Sequence, residues 1–515
     1  MRVYYGQTSG ILKSPDGTTK KYVIWGDWLD VEEEQPASDH YRVNWKVWDA
    51  AAPGSIGILP LRVKKSECRA KPLLEMIFLD VGQGDSCIVS VPDGNSQRTL
   101  IVDGGQYANL HNFLKWRFRY VDSNAHFHAA VLTHSDQDHY RGFVPLIKDP
   151  RISFDCVYHN GLVERDASDD DDILGPRSAG LCTDIRPDRA SVDALVSVAA
   201  NRGKPNAPKV YPTMMWAMVQ DQARFADIRM ASTEHGVKKD GRTYLPGFAP
   251  AAGKASIEIL APVPQRTQQG DLALKAFGKK VNDGGFDVGK TKNGNSVVLR
   301  LEYGAFSAVF GGDLNRPSED YLLRHYGEIA ANKPLKDAVT KARTRLSADL
   351  LKCCHHGSAD VTDEFVQAVN PFAFVVSSGD EESHVHPRPD ILGMLGKQGR
   401  SDRSLILCTE ILRSTPSSLT MSAAEIKEFD KLLEAFDTAA SAQARKDART
   451  ATLAFIDRRT RRLVTEYGAI TMRTDGEHIL IAFRKEASKK NASPWQLFEF
   501  KMTDTGWKPV EGADG

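Results

Sequence analysis

A chain of 515 residues, 41% apolar and 26% charged, has the make-up of a soluble globular protein of about two to four domains, not a disordered one. Its 67 basic residues are matched by 67 acidic ones, which excludes a global positive field for nucleic acid; any polyanion contact must come from a local patch. No run approaches the ~18 apolar residues of a membrane span, and seven scattered cysteines without a CxxC pair suit free thiols.

The start, Met1-Arg-Val-Tyr-Tyr-Gly6, lacks the apolar core of a signal peptide, so a cytoplasmic protein without membrane contact is expected. Residues 1–72 read as a small β-domain of SH3-like character. Lys21-Tyr-Val-Ile-Trp25 is rich in strand formers, and Tyr41-Arg-Val-Asn-Trp-Lys-Val-Trp48 alternates polar with apolar side chains. Trp25, Trp28 and Trp45 are candidates to line a binding groove, although small β-domains routinely bury tryptophan.

From residue 73 the pattern changes. Strands at 75–80, 86–91 and 99–103, separated by tight turns, read as an antiparallel meander at the edge of a sandwich. A helix at about 107–119 leads to the apolar run Ala129-Ala-Val-Leu132. Residues from about 160 to 250 read as a helical insertion, whose acidic run 169–172 is expected to be a solvated loop. Strands return at 256–260, 296–301, 307–310, 349–354 and 373–377, and this core closes at about 412. Residues 413–515 read as helix, at 421–450, then strands that complete or flank the core.

The chemistry gathers at the strand ends. Thr133-His-Ser-Asp-Gln-Asp-His139 sets His134, Asp136, Asp138 and His139 on the loop that leaves a buried strand, where open α/β sheets hold their ligands. Imidazole and carboxylate together bind divalent metals, and four such groups in six positions exceed what one ion usually takes from a single loop. Two neighbouring ions are the natural reading. Three more strands end the same way: Gly311-Gly-Asp313, His355-His-Gly-Ser358 and Ser378-Gly-Asp-Glu-Glu-Ser-His-Val-His-Pro387. Four distant segments delivering His or Asp point to a metallohydrolase.

These pieces, with Phe78-Leu-Asp-Val-Gly-Gln-Gly-Asp-Ser86, Leu100-Ile-Val-Asp-Gly-Gly105 and Asn295-Ser-Val-Val-Leu299, resemble the metallo-β-lactamase superfamily, and within it the hydrolase domain of ComEC-like competence proteins. The resemblance covers roughly 74–160 and 255–412. It implies an α/β fold, the superfamily's αββα sandwich, and two divalent ions. Asp136, where many members have histidine, hardens the site, so manganese or magnesium becomes as plausible as zinc. By resemblance His134 and Asp136 hold one ion, Asp138 and His139 the other, and Asp313 bridges them. His386 matches the superfamily's late histidine, with His384 behind it, and Asp103 steadies the metal loop. His159 is the candidate for the mid-chain histidine of the first ion's shell, and equally an ordinary loop histidine.

Two such ions would ionise a bridging water, with Asp138 orienting it and accepting its proton. His356, or His355, would protonate the leaving oxygen, and Ser358 would add a hydrogen bond. The substrate expected from the competence-like branch is a phosphodiester, as in a nuclease. Lys279, Lys280, Lys290 and Lys292, or Arg458-Arg-Thr-Arg-Arg462, could then carry phosphates. The alternatives are a lactonase or thioesterase with an apolar pocket, and an adaptor in which the β-domain or the insertion binds a partner protein around a structural metal.

Overall fold

The computed structural model describes residues 1–35, 38–48, 56–118, 123–203, 210–279, 286–378, 386–400, 404–409, 421, 423–460, 468–485 and 493–510. His384, Lys280 and the end of the basic run 458–462 lie outside them. Among the described residues the chain is a mixed α/β protein with two large sheets of ten and eight strands, a separate seven-stranded one at the amino end, and a small one of four short strands, Arg177–Ser178, Leu181–Cys182, Leu272–Lys275 and Gln265–Arg266.

The first large sheet runs, edge to edge, Phe225–Met230, Ile152–His159, Ala125–Leu132, Ser96–Val102, Cys87–Asp93, Leu74–Phe78, Ile470–Thr474, His478–Arg484, Trp495–Thr503 and Gly506–Pro509. The strands from Ser96–Val102 to Phe225–Met230 are parallel, and the rest pair antiparallel. The second runs Val237–Lys239, Arg242–Tyr244, Ser256–Ala261, Val298–Tyr303, Phe306–Phe310, Leu350–Lys352, Ala373–Val376 and Leu405–Cys408, its last four strands parallel.

Strand periodicity explains how the two sheets stack. Met76, Phe78, Val89, Leu100 and Val131 point inward and share one core with Leu299, Leu301, Phe310 and Val375 of the other sheet. Their neighbours Ile77, Ile88, Ile101 and Leu132 point outward, under Leu110, Leu114, Leu146 and Met215 of covering helices. On the far side Val309, Leu351, Phe374 and Val376 lie under Leu322, Leu346 and Val366. Both faces of each sheet are therefore covered, which is why the central strands are apolar at nearly every position.

Two segments behave differently from their sequence pattern. The 75–80 meander is not at an edge, because Ile470–Thr474 pairs along the whole of Leu74–Phe78, whose five residues are all buried. The stretch at about 160–250 is more than helical. Phe225–Met230 extends the first sheet in parallel with Ile152–His159, while Val237–Lys239 and Arg242–Tyr244 form the edge of the second. Phe225–Met230 is stabilised by a partner far away in the chain, which local pattern does not report, whereas Val237–Lys239 and Arg242–Tyr244 are a hairpin across Asp240-Gly241, a turn signal that the sequence does carry.

The amino-terminal sheet of seven strands has its own core of Val23, Leu29, Val31, Val43, Leu61 and Val63. Its junction with the main body combines an apolar cluster of Ile24, Leu480 and Ala482 with a buried polar one. Arg473 donates to Trp25 O at 2.6 Å, Asp27 Oδ1 at 2.8 Å and Glu75 Oε2 at 2.6 Å. Trp28 and Trp45 line a cavity of 490 Å³ with Trp116 and Trp495, away from the strand ends that gather His and Asp, whereas Trp25 lies under the Arg69 guanidinium at 5.6 Å. No helix among the described residues is long and apolar enough to cross a membrane.

Candidate metal centre

The carboxyl ends of the parallel strands of both sheets meet at one junction, and close backbone approaches lock their loops together. A Cβ on Gly84 would lie 1.7 Å from the Asp138 carbonyl oxygen, and one on Gly142 would lie 1.8 Å from that of Gly104. Only glycine permits such contact. The backbones then bond directly: Asp85 N to Asp138 O at 3.3 Å, Gly104 N to His139 O at 2.7 Å, Gly105 N to Asp85 O at 2.8 Å and Gly142 N to Gly105 O at 2.7 Å. Three sequence motifs thus form one rigid floor.

Asp103 stands on that floor with φ 56°, a left-handed conformation that aspartate tolerates better than most residues. It accepts from Thr133 N at 2.8 Å, Thr133 Oγ1 at 2.6 Å and His139 Nδ1 at 2.8 Å. The His139 proton is therefore on Nδ1, and its Nε2 lone pair faces Asp313 Oδ2 at 3.2 Å. His356 repeats the arrangement. Its Nδ1 lies 3.1 Å from the Ser377 carbonyl and 3.1 Å from Asp85 Oδ1, both acceptors. Its Nε2 then faces Asp313 Oδ2 at 3.1 Å and Asp138 Oδ2 at 3.4 Å. The two Nε2 atoms are 3.3 Å apart.

Two lone pairs and two carboxylates so directed repel one another unless positive charge lies among them. Protons can supply it: burial alone would lower the imidazole pKa values, but Asp313 and Asp103 hold His139, and Asp313 and Asp85 hold His356, well above the ordinary histidine range. Burial opposes ionisation of Asp313 too, yet His139 and His356 draw its carboxyl well below the usual value. A divalent cation would serve the same purpose, and Asp313 Oδ1, buried without a hydrogen-bond partner, is a further free donor for it. Asp85, His139, Asp313 and His356 each bring a ligand-type atom within 4.8 Å of the others, so this buried cluster could bind a metal ion. Asp85 stands one step back, however. It meets Nδ1 of His356, as Asp103 meets Nδ1 of His139, and it is ion-paired to Lys352, which also donates to Gly312 O at 3.4 Å.

His355 and His356 both have left-handed backbones, φ 47° and 54°, followed by Gly357 at 79°. Each non-glycine residue in this region costs about 1–2 kcal/mol, so the loop stores strain to aim its imidazoles. His355 N donates to Gly312 O at 3.1 Å, tying the loop to the one that carries Asp313. The His355 ring is a quarter exposed, with Nε2 4.0 Å from Asp313 Oδ2, and burial lowers its pKa.

The expected site residues thus divide. Asp138, His139, Asp313 and His356 come together, with Asp103 behind, although sequence reasoning had set His356 aside for proton transfer. His386, assigned there to the ion's shell, instead has its ring 6.1 Å from that of His355. The Ser358 hydroxyl accepts from Asp360 N at 3.0 Å and serves the turn. His134 lies against His139 with ring centroids 4.1 Å apart and planes tilted by 49°, and its Nε2 is 3.5 Å from Asp136 Oδ2. Asp136 is ion-paired to Lys292, which also meets Glu164 at 2.7 Å. His159, fully buried, accepts at Nδ1 from Gly161 N at 3.2 Å, and burial with the nearby His235 pushes its pKa down to about 4.

Asp85, Lys352 and Glu164 were missed, and Lys292 was expected to meet phosphate, not to hold Asp136. Asp85 had a signal, as the only acid in the Gly82-Gln-Gly-Asp85 turn. Of the expected basic cluster, Lys290 is ion-paired to Asp360 and Lys292 is held as described, whereas Lys279 is 80% exposed with Asp287 4.0 Å away.

No family model matches the chain. Over 106 residues, 20% of its length, it is 30% identical to ComE operon protein 3 of Bacillus subtilis (strain 168). The match spans 12% of that protein, so the chain is similar to a small part of it.

Proposed function

We propose that the protein is a metal-dependent hydrolase acting on phosphodiester bonds, a nuclease in the broad sense, built on the metallo-β-lactamase αββα sandwich with an SH3-like domain at its amino end. The observation that carries this reading is the convergence of the His139 and His356 Nε2 lone pairs with the Asp313 carboxylate on one buried point, with Asp138 Oδ2 3.4 Å from His356 Nε2 at its more open side. The partial likeness to ComE operon protein 3 agrees with it. A donor set of two imidazoles and two carboxylates suits zinc and the harder manganese alike, and a hard ion favours an anionic phosphoryl oxygen.

An ion held there would acidify a bound water and stabilise charge on the substrate oxygen. The side chains divide the remaining work. Asp138 is 17% exposed where His139, Asp313 and His356 are at most 4%, so its carboxylate is the part of the cluster that a water or substrate meets. That carboxylate orients the attacking water and accepts its proton. His355, at the rim and not committed to the cluster, is placed to protonate the leaving oxygen. Asp103 and the Ser377 carbonyl keep the two inner imidazoles in the tautomer that presents Nε2, with the Asp85 charge beside the second.

The test is hydrolysis by purified protein with manganese, then zinc, against single- and double-stranded DNA, RNA, bis-p-nitrophenyl phosphate and a lactone. Cleavage of a phosphodiester that disappears in Asp138→Ala and Asp313→Ala is expected. Wild type and both variants behaving alike on every phosphodiester would overturn the reading, and turnover of the lactone alone would replace it with the small-ester one.

A further inference from the structure

The superfamily pattern asks for two ions, the first held by His134, Asp136 and a mid-chain histidine. Here that half of the site is already satisfied by protein. Asp136 Oδ1 is ion-paired to the Lys292 ammonium. Asp136 Oδ2 takes the Asn293 side-chain amide at 2.8 Å, in the orientation in which that amide also donates to Gly289 O at 3.1 Å. His134 Nδ1 lies 3.1 Å from Thr133 Oγ1, whose own proton goes to Asp103, and 3.3 Å from the Ser296 hydroxyl, while its Nε2 faces Asp136 at 3.5 Å. His159 is committed in the same sense. Its Nδ1 accepts a backbone N–H, so its buried Nε2 carries a hydrogen, offers no lone pair, and has no hydrogen-bond partner.

The contrast with the other half is chemical. At His139, His356 and Asp313 the lone pairs face each other and need a cation. Around Asp136 and His159 the ligand-type atoms already have donors on them, and the positive charge is present as Lys292. That ammonium is only 14% exposed and wedged between Asp136 and Glu164. Two carboxylates flanking a buried lysine are a stable arrangement, and breaking one side strands a charge.

We infer that the centre binds a single divalent ion, at Asp138, His139, Asp313 and His356, and that Lys292 is a resident cation standing where the superfamily places another. The inference rests on the metal-dependent reading above and deepens it. It makes Lys292 a positioning residue that fixes Asp136 and supplies, without a second metal, positive charge beside the reaction centre.

The experiment counts ions and needs no substrate. Full-length protein is stripped with chelator, loaded with manganese, dialysed, and read by elemental analysis and by the electron spin resonance of bound Mn²⁺. Wild type should hold one equivalent with the spectrum of an isolated ion, and Asp136→Asn should hold the same. Lys292→Ala, which bares Asp136 and Glu164, should take up a second equivalent and show an exchange-coupled pair; retention of the first ion certifies its fold. Two coupled ions in wild type, loss of an ion in Asp136→Asn, or an isolated single ion in Lys292→Ala would each overturn the inference. No bound ion at all would overturn the metal-dependent reading itself, a result distinguishable from these.

Discussion

Asp103→Asn separates the electronic part of the centre from its scaffold. Asparagine is nearly isosteric and tolerates the left-handed backbone at φ 56°, so the loop is retained. Its side-chain oxygen still accepts from Thr133 N, where the aspartate does so at 2.8 Å. What changes is the atom 2.8 Å from His139 Nδ1, which becomes an N–H donor. The imidazole must then accept at Nδ1 and carry its proton on Nε2, aimed at Asp313 Oδ2, and a protonated nitrogen is no ligand. Loss of such a supporting partner typically weakens metal affinity by about 10–100-fold, or about 1.4–2.7 kcal/mol. The loss of a charged acceptor for Thr133 Oγ1 costs the metal-free fold about 1–3 kcal/mol. Isothermal titration of stripped protein with manganese or zinc measures the first quantity, and urea unfolding in chelator the second. An affinity within about twofold of wild type, with a normal fold, would refute the tautomer argument.

The other expectations follow from buried charge. In chelator, stability should fall as pH rises above about 6.5, because His139 and His356 have folded pKa values raised above the unfolded histidine value and lose their stabilising protons on the way up; it should also fall at acid pH as the depressed Asp313 carboxyl is protonated. Ion affinity should rise over the same interval above 6.5, since the ion displaces those protons, and melting curves with and without metal that show the same pH slope would contradict this. Burial pushes Glu319 from 4.5 up to about 8, so the folded protein keeps a proton that the unfolded one releases, and stability drops between those values by at most about 4–5 kcal/mol. Glu319→Gln should flatten that part of the urea-stability profile relative to wild type; parallel profiles would show that this carboxyl is ionised at neutral pH. Arg473→Met removes the guanidinium shared by Trp25, Asp27 and Glu75 and should cost about 3–5 kcal/mol in urea unfolding. A loss under about 1 kcal/mol would mean that the polar junction is marginal to stability.

How much of this was legible in the sequence depended on whether a residue's role was local. The 133–139 loop was readable because four ligand-type side chains lie within one turn of chain, and Asp313 because it follows a strand and two glycines. His356 and His386 were not distinguishable in that way. Each leaves one of two adjacent parallel strands, Leu350–Lys352 and Ala373–Val376, and only the left-handed run at 355–357 brings His356 inward. Lys292 was invisible as part of the centre because lysine is not a ligand type and its two acids lie 156 and 128 residues earlier in the chain. The outer strand at 225–230 was hidden for a related reason: six residues with little alternation become a strand only when a distant edge accepts them, whereas 237–239 and 242–244 form a hairpin that Asp240-Gly241 signalled.

The geometry also explains why the acid-and-imidazole pairs are built across the sheets. Asp103 and His139 both leave the first sheet, whereas His356 leaves the second and has Asp85 of the first 3.1 Å from its Nδ1 and Asp138 of the first 3.4 Å from its Nε2. Asp313, again from the second sheet, faces His139 of the first. Each inner imidazole therefore has at least one carboxylate partner on the opposite sheet. The spacing of the donors is set by how the two sheets pack over Phe78, Phe310 and Val375 and not by any single loop. A well-packed core is stiff at the scale of a methyl group, and the convergence of Nε2 atoms to 3.3 Å inherits that stiffness. The like charges and unshared lone pairs that a flexible loop would splay apart are held together here, and the resulting demand for positive charge is what makes the junction a place for a cation.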